Sequence, residues 1–139
     1  MTVDRARLGP ILKSACTIAV VGLSPDPARP SHGVAAFLQR AGYRILPVRP
    51  GGGTVLGERC FDSLTDAARA EGPLQIVDIF RRSDAVPELL PELLATRPQL
   101  VWMQVGVHDG PTRDALEAAG IPVVMDRCLM VELPGLVSE

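Results

Sequence analysis

Residues 17–34 read T-I-A-V-V-G-L-S-P-D-P-A-R-P-S-H-G-V, and this stretch decides the fold. Its first part is a continuous apolar run ending at Gly22, long enough for a buried strand and too short for a helix. A polar loop with three prolines follows, and a helix starts near Ser31. Over residues 33–41 the apolar side chains recur at i, i+3, i+4 and i+7, which is typical of one helix face. The stretch therefore predicts a strand, a glycine turn and a helix.

The same alternation continues along the chain. Apolar runs predict five strands, at residues 18–22, 43–48, 74–80, 100–105 and 122–125, and the intervening patterns predict helices, beginning with one over residues 4–14. Strands that are apolar on both faces are typical of a parallel sheet covered on both sides. We therefore predict an α/β fold with a Rossmann-like, doubly wound, parallel five-stranded sheet and helices on both faces. A chain of 139 residues is expected to form one domain.

Polar residues mark where the helices begin. Ser63, followed three residues later by an aspartate, predicts an N-cap, and so does Asp109, which precedes a proline in the first turn. Ser83 predicts a further cap, for a helix running to about residue 96. Pro91 lies deep enough in that helix to kink or break it.

Composition limits the classes of partner. The net charge of −2 gives no general attraction for nucleic acid or anionic membranes. Cys16, Cys60 and Cys128 are far apart and form no C-x-x-C pair, which argues against a disulfide framework or a zinc site. No apolar run approaches the roughly 20 residues that span a bilayer, and the first residues lack a signal-peptide pattern. We expect a cytoplasmic protein with a small-molecule ligand; a protein partner stays open.

In doubly wound sheets the ligand binds at the carboxyl ends of the strands, beside the switch point. Gly22, Leu23 and Ser24 follow the first strand, and the helix opening near Ser31 offers N–H groups and a positive dipole end. With Arg29, the loop's basic side chain, these residues predict a cradle for a diphosphate. The alternative is that Gly22 and Ser31 serve only as turn and cap residues.

The end of the second predicted strand argues against NAD. A dinucleotide site needs an acid there for the ribose hydroxyls, but the chain has Val48, Arg49 and Pro50. An arginine suits a ribose phosphate better than a free diol, and coenzyme A and NADP both carry such a phosphate. The alternative interpretation is that Arg49 is only an exposed arginine in a turn and contacts no ligand.

Two further strand ends contribute candidates. Phe80, Arg81 and Arg82 follow the third predicted strand, and adjacent arginines there would attract anions. Gln104 and Gly106 follow the fourth. The glutamine can hydrogen-bond an amide of a ligand, and the glycine permits close approach of the backbone.

Five stretches carry a family resemblance, in this order: A-V-V-G-L-S-P-D-P-A-R-P-S-H-G-V, Y-R-I-L-P-V-R-P, V-D-I-F-R-R-S, V-W-M-Q-V-G-V and V-V-M-D-R-C-L-M-V-E. Together they cover about residues 15–132 and resemble the small stand-alone CoA-binding proteins, which share a fold with the CoA-binding domain of succinyl-CoA ligase α subunits. The resemblance implies that the first-strand loop holds the CoA diphosphate. It also implies that the V-x-P segment borders the adenosine and that the F-R-R-S region lies along the pantetheine. His32 stands where tyrosine is expected.

The sequence offers few candidate catalytic residues. His32 and His108 are the two histidines, and no nucleophile and base with a third orienting group can be assigned. Cys128, beside an arginine, is the cysteine that could react with the CoA thiol, although a small buried apolar residue is the alternative. We expect a protein that binds coenzyme A or an acyl-CoA without catalysis. The alternatives are an NADP-linked oxidoreductase and a nucleotide-sensing interaction module.

Overall fold

Strands and helices alternate along the chain. The structure is a computed structural model that describes residues 5–137. The helices are α1 (Arg5–Ser14), α2 (Pro30–Arg40), α3 (Leu64–Glu71), α4 (Leu90–Thr96), α5 (Gly110–Ala118) and α6 (Leu129–Val137), and a 3₁₀ helix, Ser83–Leu89, precedes α4. The strands are β1 (Thr17–Val21), β2 (Arg44–Val48), β3 (Thr54–Val55), β4 (Glu58–Arg59), β5 (Ile76–Ile79), β6 (Leu100–Met103) and β7 (Val123–Val124).

Five of these strands form one parallel sheet, in the order β2-β1-β5-β6-β7. At the end of β1, Val21 pairs with Val48 of β2 on one side and with Ile79 of β5 on the other. The chain therefore leaves β1 toward one sheet edge and later returns to build the other half. This reversal places the switch point between β1 and β5, and it confirms the predicted doubly wound, Rossmann-like sheet.

The two faces of the sheet carry separate apolar cores. Alternate residues of each strand point to opposite faces, so Ile18 and Val20 pack under α1, α2 and α6, whereas Ala19 and Val21 pack under α3, α4 and α5. Each helix packs one apolar stripe on a sheet face. The helices therefore cover the two faces and leave the carboxyl ends of the strands open to solvent.

Two of the three predicted caps are confirmed. The hydroxyl of Ser63 accepts a hydrogen bond from the Asp66 amide at 3.1 Å, and the carboxylate of Asp109 accepts one from the Thr112 amide at 3.0 Å. The cap predicted at Ser83 is wrong, because its hydroxyl donates to the Gly106 carbonyl at 3.1 Å and so bonds to another segment.

The helix predicted over residues 83–96 is broken, as its second proline indicated. A 3₁₀ helix ends at Leu89, and α4 begins at Leu90 with Pro91 in its first turn. Since proline lacks an N–H, it is accommodated in a first turn rather than in a helix interior.

Three other details differ from prediction. The hairpin β3–β4 and helix α6 were not predicted. The strands predicted at residues 74–80, 100–105 and 122–125 are shorter, because residues at one or both of their ends belong to the connecting loops. The first residue of the helix predicted over residues 4–14 lies outside the described part of the chain.

Candidate functional site

A crevice of about 340 Å³ opens at the carboxyl ends of β1, β5 and β6, beside the switch point. One wall is the loop after β1 with the start of α2, and the other wall comes from the residues after β5 and β6 and before α6. Its lining residues are Gly22, Ser24, Arg29, Pro30, Ser31, Val34, Phe80, Gln104, Val105, Val107 and Cys128. The volume is within the range of small-molecule sites. The crevice therefore has an apolar floor and a polar rim.

Gly22 brings the ends of three strands together. Its amide donates to the carbonyl of Val48 at 2.9 Å, and its φ of +84° is in the region that favours glycine. A Cβ at this position would overlap the carbonyl of Phe80. The glycine is therefore required by the close approach of β5 to the turn after β1, and this approach forms the base of the crevice.

The loop after β1 is held by its own polar side chains. The Ser31 hydroxyl accepts from the Ser24 amide at 3.0 Å, the Ser24 hydroxyl from the Asp26 amide at 3.1 Å, and the Asp26 carboxylate from the Ala28 amide at 2.9 Å. Ser31 is buried, and it acts as an internal brace rather than as a helix cap. These bonds fix the shape of the loop beside the crevice.

The start of α2 is left without a side-chain cap. Arg29 occupies the N-cap position and makes no capping hydrogen bond, and Pro30 is in the first turn. Because Pro30 has no N–H, the Ser31 amide is the first that the helix offers. The positive end of the helix dipole and the exposed Arg29 side chain therefore lie together at the crevice rim.

A buried acid lies beneath the floor. Asp78, in the middle of β5, is fully buried, and both of its carboxylate oxygens accept from Nε2 of Gln104, at 2.8 and 3.1 Å. Burial raises the pKa of Asp78 to about 7, and the hydrogen bond from Gln104 opposes that rise. The sequence analysis missed Asp78. The available signal was a lone charged residue within the apolar run I-V-D-I.

Comparison with protein families gives a match to the CoA binding domain over residues 16–134. This chain belongs to that family. YneT of Bacillus subtilis (strain 168), described as uncharacterized, is 39% identical over 128 residues, which are 92% of this chain and 93% of YneT. Membership confirms the resemblance that the five sequence stretches carried.

Two solved structures of other proteins have the same fold. A Thermus thermophilus protein, titled cell-free ID.343, superposes with a TM-score of 0.90 at 46% identity, covering 96% of this chain and 99% of that one. A hypothetical protein from Pyrococcus horikoshii OT3 superposes with a TM-score of 0.87 at 28% identity, covering 96% and 92%. Both likenesses extend over the whole sheet and its helices.

The crevice brings together six of the residues predicted for CoA binding: Gly22, Ser24, Arg29, Ser31, Phe80 and Gln104. Leu23, between two of them, instead has its side chain in the core under α2. The sequence alone could not distinguish Leu23 from its crevice-lining neighbours, because side chains in a tight turn alternate between core and solvent.

The remaining predicted residues lie around the crevice and do not line it. Val48 is buried at the end of β2, and Arg49 and Pro50, which follow it, are half-buried and exposed. His32 and Arg81 are half-buried, Gly106 is exposed, and the Arg82 guanidinium pairs with Asp84 at 3.3 Å. Six of these seven residues lie at or shortly after strand ends, and His32 lies in the first turn of α2.

Cys128 lines the crevice and is half-buried. Its carbonyl accepts from the amides of Val131 and Glu132, at 3.1 and 2.9 Å, so the residue stands at the start of α6. Cys128 therefore lies at a second helix N-terminus, in the crevice wall formed by the residues before α6.

Neither a metal-binding cluster nor a membrane-spanning helix is found among residues 5–137. No three His, Cys, Asp or Glu side chains in this part of the chain come together as a possible metal site. None of the helices in the same residues has the length and apolar character needed to cross a bilayer.

Proposed function

We propose that this protein binds coenzyme A, or an acyl-CoA, in the crevice at the carboxyl ends of β1, β5 and β6, and that it has no catalytic activity of its own. The observation that carries the proposal is the uncapped start of α2 in a chain of the CoA-binding family. A diphosphate is suited to this position, since the first turn offers the Ser31 N–H and a positive dipole end. The next amides, of His32 and Gly33, donate to the Arg29 carbonyl.

The crevice floor fits the pantetheine arm. Phe80, Val105 and Val107 supply apolar surface, and Gln104 places a polar amide among them. Pantetheine alternates methylene groups with two amides, so it needs both kinds of contact. A thiol or acyl group at its end would extend along the side where Cys128 lies.

The adenosine is expected at the end of β2. Gly22 bonds directly to Val48, which brings that strand end against the phosphate loop, and Arg49 follows at once. An arginine there favours a phosphorylated ribose, whereas a ribose diol would find no acid. This chemistry selects coenzyme A over NAD.

The proposed lack of catalysis rests on the side chains at the crevice. His108 is exposed beyond the lining residues, and His32 is half-buried next to them. His108 does bond to the Ser83 hydroxyl, but through its backbone amide, at 3.0 Å. Within residues 5–137 neither imidazole bonds to a serine or cysteine side chain, as the base of an activated nucleophile would.

Thermal unfolding with CoA, acetyl-CoA, NADP, NAD and ATP tests the proposal. A ligand that binds only the folded state raises the melting temperature by mass action. We expect CoA or acetyl-CoA to give the largest rise and NAD the smallest. A larger rise with NADP would favour the oxidoreductase alternative, and no rise with any of the five would favour an interaction module without a nucleotide ligand.

A pair of arginine variants tests whether the ligand binds in the crevice. Val34→Arg would place a long charged side chain at the crevice wall, whereas Val131→Arg, on an exposed position of α6, is the matched control. We expect the first to remove the CoA-dependent rise and the second to keep it. Loss in both, or in neither, would contradict this location.

A further inference from the structure

Asp78 is an unusual residue for the middle of a buried strand. Its register partners are Val20 in β1 and Trp102 in β6, and all three lie on the face covered by α1, α2 and α6. An ionised carboxylate in such surroundings needs hydrogen-bond donors. Gln104 is the donor that the structure provides.

Gln104 connects this acid to the crevice. The residue is only 3% exposed, yet it lines the crevice wall. Its Nε2 is directed inward to Asp78. Among residues 5–137, no donor is recorded for its Oε1, and no fully enclosed side-chain oxygen or nitrogen there is without a partner. The Oε1 atom therefore keeps some exposed surface, on a residue that lines the crevice.

We propose that Gln104 Oε1 accepts a hydrogen bond from an amide N–H of the ligand, and that Asp78 is the positioning residue that decides whether this acceptor faces the crevice. The inference rests on the proposed function and deepens it. In coenzyme A the pantetheine amides supply such N–H groups.

The protonation state of Asp78 sets the orientation. An ionised carboxylate only accepts, so it holds Nε2 inward and leaves Oε1 for the ligand. A protonated carboxyl carries an O–H that needs an acceptor, and the nearest polar side chain is Gln104. Rotation of the amide then pairs Oε1 with the O–H and turns an N–H toward the crevice. The site thus offers an acceptor in one state and a donor in the other.

The switch occurs near neutral pH, because burial raises the pKa of Asp78 to about 7. Burial and the Gln104 hydrogen bond are the two causes of the change in the pKa of Asp78, and no charged neighbour contributes to it. The neighbouring strands β1 and β6 carry no titratable side chain. The charged or titratable residues on α1, α2 and α6, in the core of this face and at the crevice rim are Arg5, Arg7, Lys13, Arg29, His32, Arg40, Tyr43, Cys60, Cys128 and Glu132.

The first experiment uses the protein without ligand. The side-chain amide signals of Gln104 are followed by nitrogen–proton NMR from pH 5.5 to 8. We expect them to shift with a midpoint close to pH 7, and to stay constant in Asp78→Asn, which keeps the shape and removes the titration. Because histidines titrate in this range, His32→Asn is the control and should keep the shift. Constant Gln104 signals in the wild-type protein would overturn the switch.

The second experiment measures affinity by calorimetry over the same pH range. Wild-type protein should bind more tightly at pH 8 than at pH 6, by about three- to tenfold, the range for one hydrogen bond. Asp78→Asn and Gln104→Met should bind with little dependence on pH. The ligands are CoA and dephospho-CoA, because the 3′-phosphate of CoA itself ionises near pH 6 and dephospho-CoA lacks it.

The outcomes separate the two proposals. Equal pH profiles for wild-type protein and Asp78→Asn with dephospho-CoA would overturn the role of Asp78, even though the ligand binds. Failure of both ligands to bind at any pH would overturn the proposed function and the ligand part of this inference. In that case the NMR titration still decides whether Asp78 and Gln104 reorient together.

Discussion

The carbonyl oxygen of Phe80 occupies the space that a side chain on Gly22 would need. These two residues directly follow β1 and β5, the neighbouring strands at the switch point, and the Phe80 amide donates to the carbonyl of Val21 at 2.8 Å. The crevice therefore depends on a backbone contact that only glycine permits. A substitution at Gly22 alters the fold as well as any ligand contact.

We expect Gly22→Ala to destabilise the protein strongly. The substitution lowers the free energy of unfolding for two reasons. Alanine disfavours the positive φ, and its Cβ would overlap the Phe80 carbonyl oxygen, a backbone atom that cannot move as a flexible side chain can. Gly120→Ala is the matched control, because its φ is +87° and open space surrounds its missing Cβ. Urea denaturation should show a loss of about 1–2 kcal/mol for Gly120→Ala and at least about 2 kcal/mol more for Gly22→Ala. Equal losses would mean that the strand ends can separate.

Much of the sheet could be predicted because its strands are buried on both faces. Such strands appear in sequence as short apolar runs, and the helices between them have polar caps such as Asp109. The hairpin β3–β4 lacks that signal, since each strand has two residues. Helix α6 was missed because Pro134 lies within it, and a proline in an apolar segment argues against a helix.

The site was predicted less completely, for a different physical reason. The residues at the sheet edge can be identified because they directly follow a strand in the sequence, and two residues identified in this way, Gly22 and Gln104, line the crevice. Their position after a strand does not show which side chain points inward, so Leu23 was included although it is in the core. Asp78 was missed because its role depends on a partner 26 residues away, which only the folded sheet brings into contact.

A second prediction concerns the 3′-phosphate. Arg49 is half-buried after β2, where the adenosine is expected, whereas the Arg82 side chain is 85% exposed and pairs with Asp84. Wild-type protein should bind CoA about tenfold more tightly than dephospho-CoA, as expected for one charge-assisted contact. Arg49→Ala should remove this difference, and Arg82→Ala, the matched control, should keep it. If calorimetry shows the reverse, the phosphate lies beside the end of β5.

A third prediction concerns Ser83, which joins two segments at the crevice edge. Its hydroxyl donates to the Gly106 carbonyl at 3.1 Å and accepts from the His108 amide at 3.0 Å. Ser83→Ala removes both bonds, so the His108 amide should exchange with solvent faster, by about tenfold, and stability should fall by about 1 kcal/mol. Hydrogen exchange by NMR measures the first effect. Unchanged exchange at His108 would show that the loop is held by other contacts.

The last prediction follows from the pKa of Asp78, which burial raises from 3.8 to about 7. A raised pKa means that the folded protein binds this proton more tightly than the unfolded chain does. The free energy of unfolding therefore carries no penalty from Asp78 below about pH 3.8, decreases as the pH rises toward 7, and is level above it. Asp78→Asn removes the penalty, so the gain in stability should grow by about 2–3 kcal/mol between pH 5 and pH 8.

Urea denaturation of Asp78→Asn and wild-type protein at pH 5, 6, 7 and 8 measures this gain. Asp114→Asn is the matched control, because Asp114 is an exposed residue of α5 that pairs with the adjacent, half-buried Arg113 at 3.1 Å. Its effect should stay within about 0.5 kcal/mol at every pH. A gain from Asp78→Asn that is constant with pH would mean that the carboxyl does not titrate in this range. A loss at pH 8 would mean that the fold needs the charge, since the hydrogen bonds from Gln104 would then outweigh the cost of burying it.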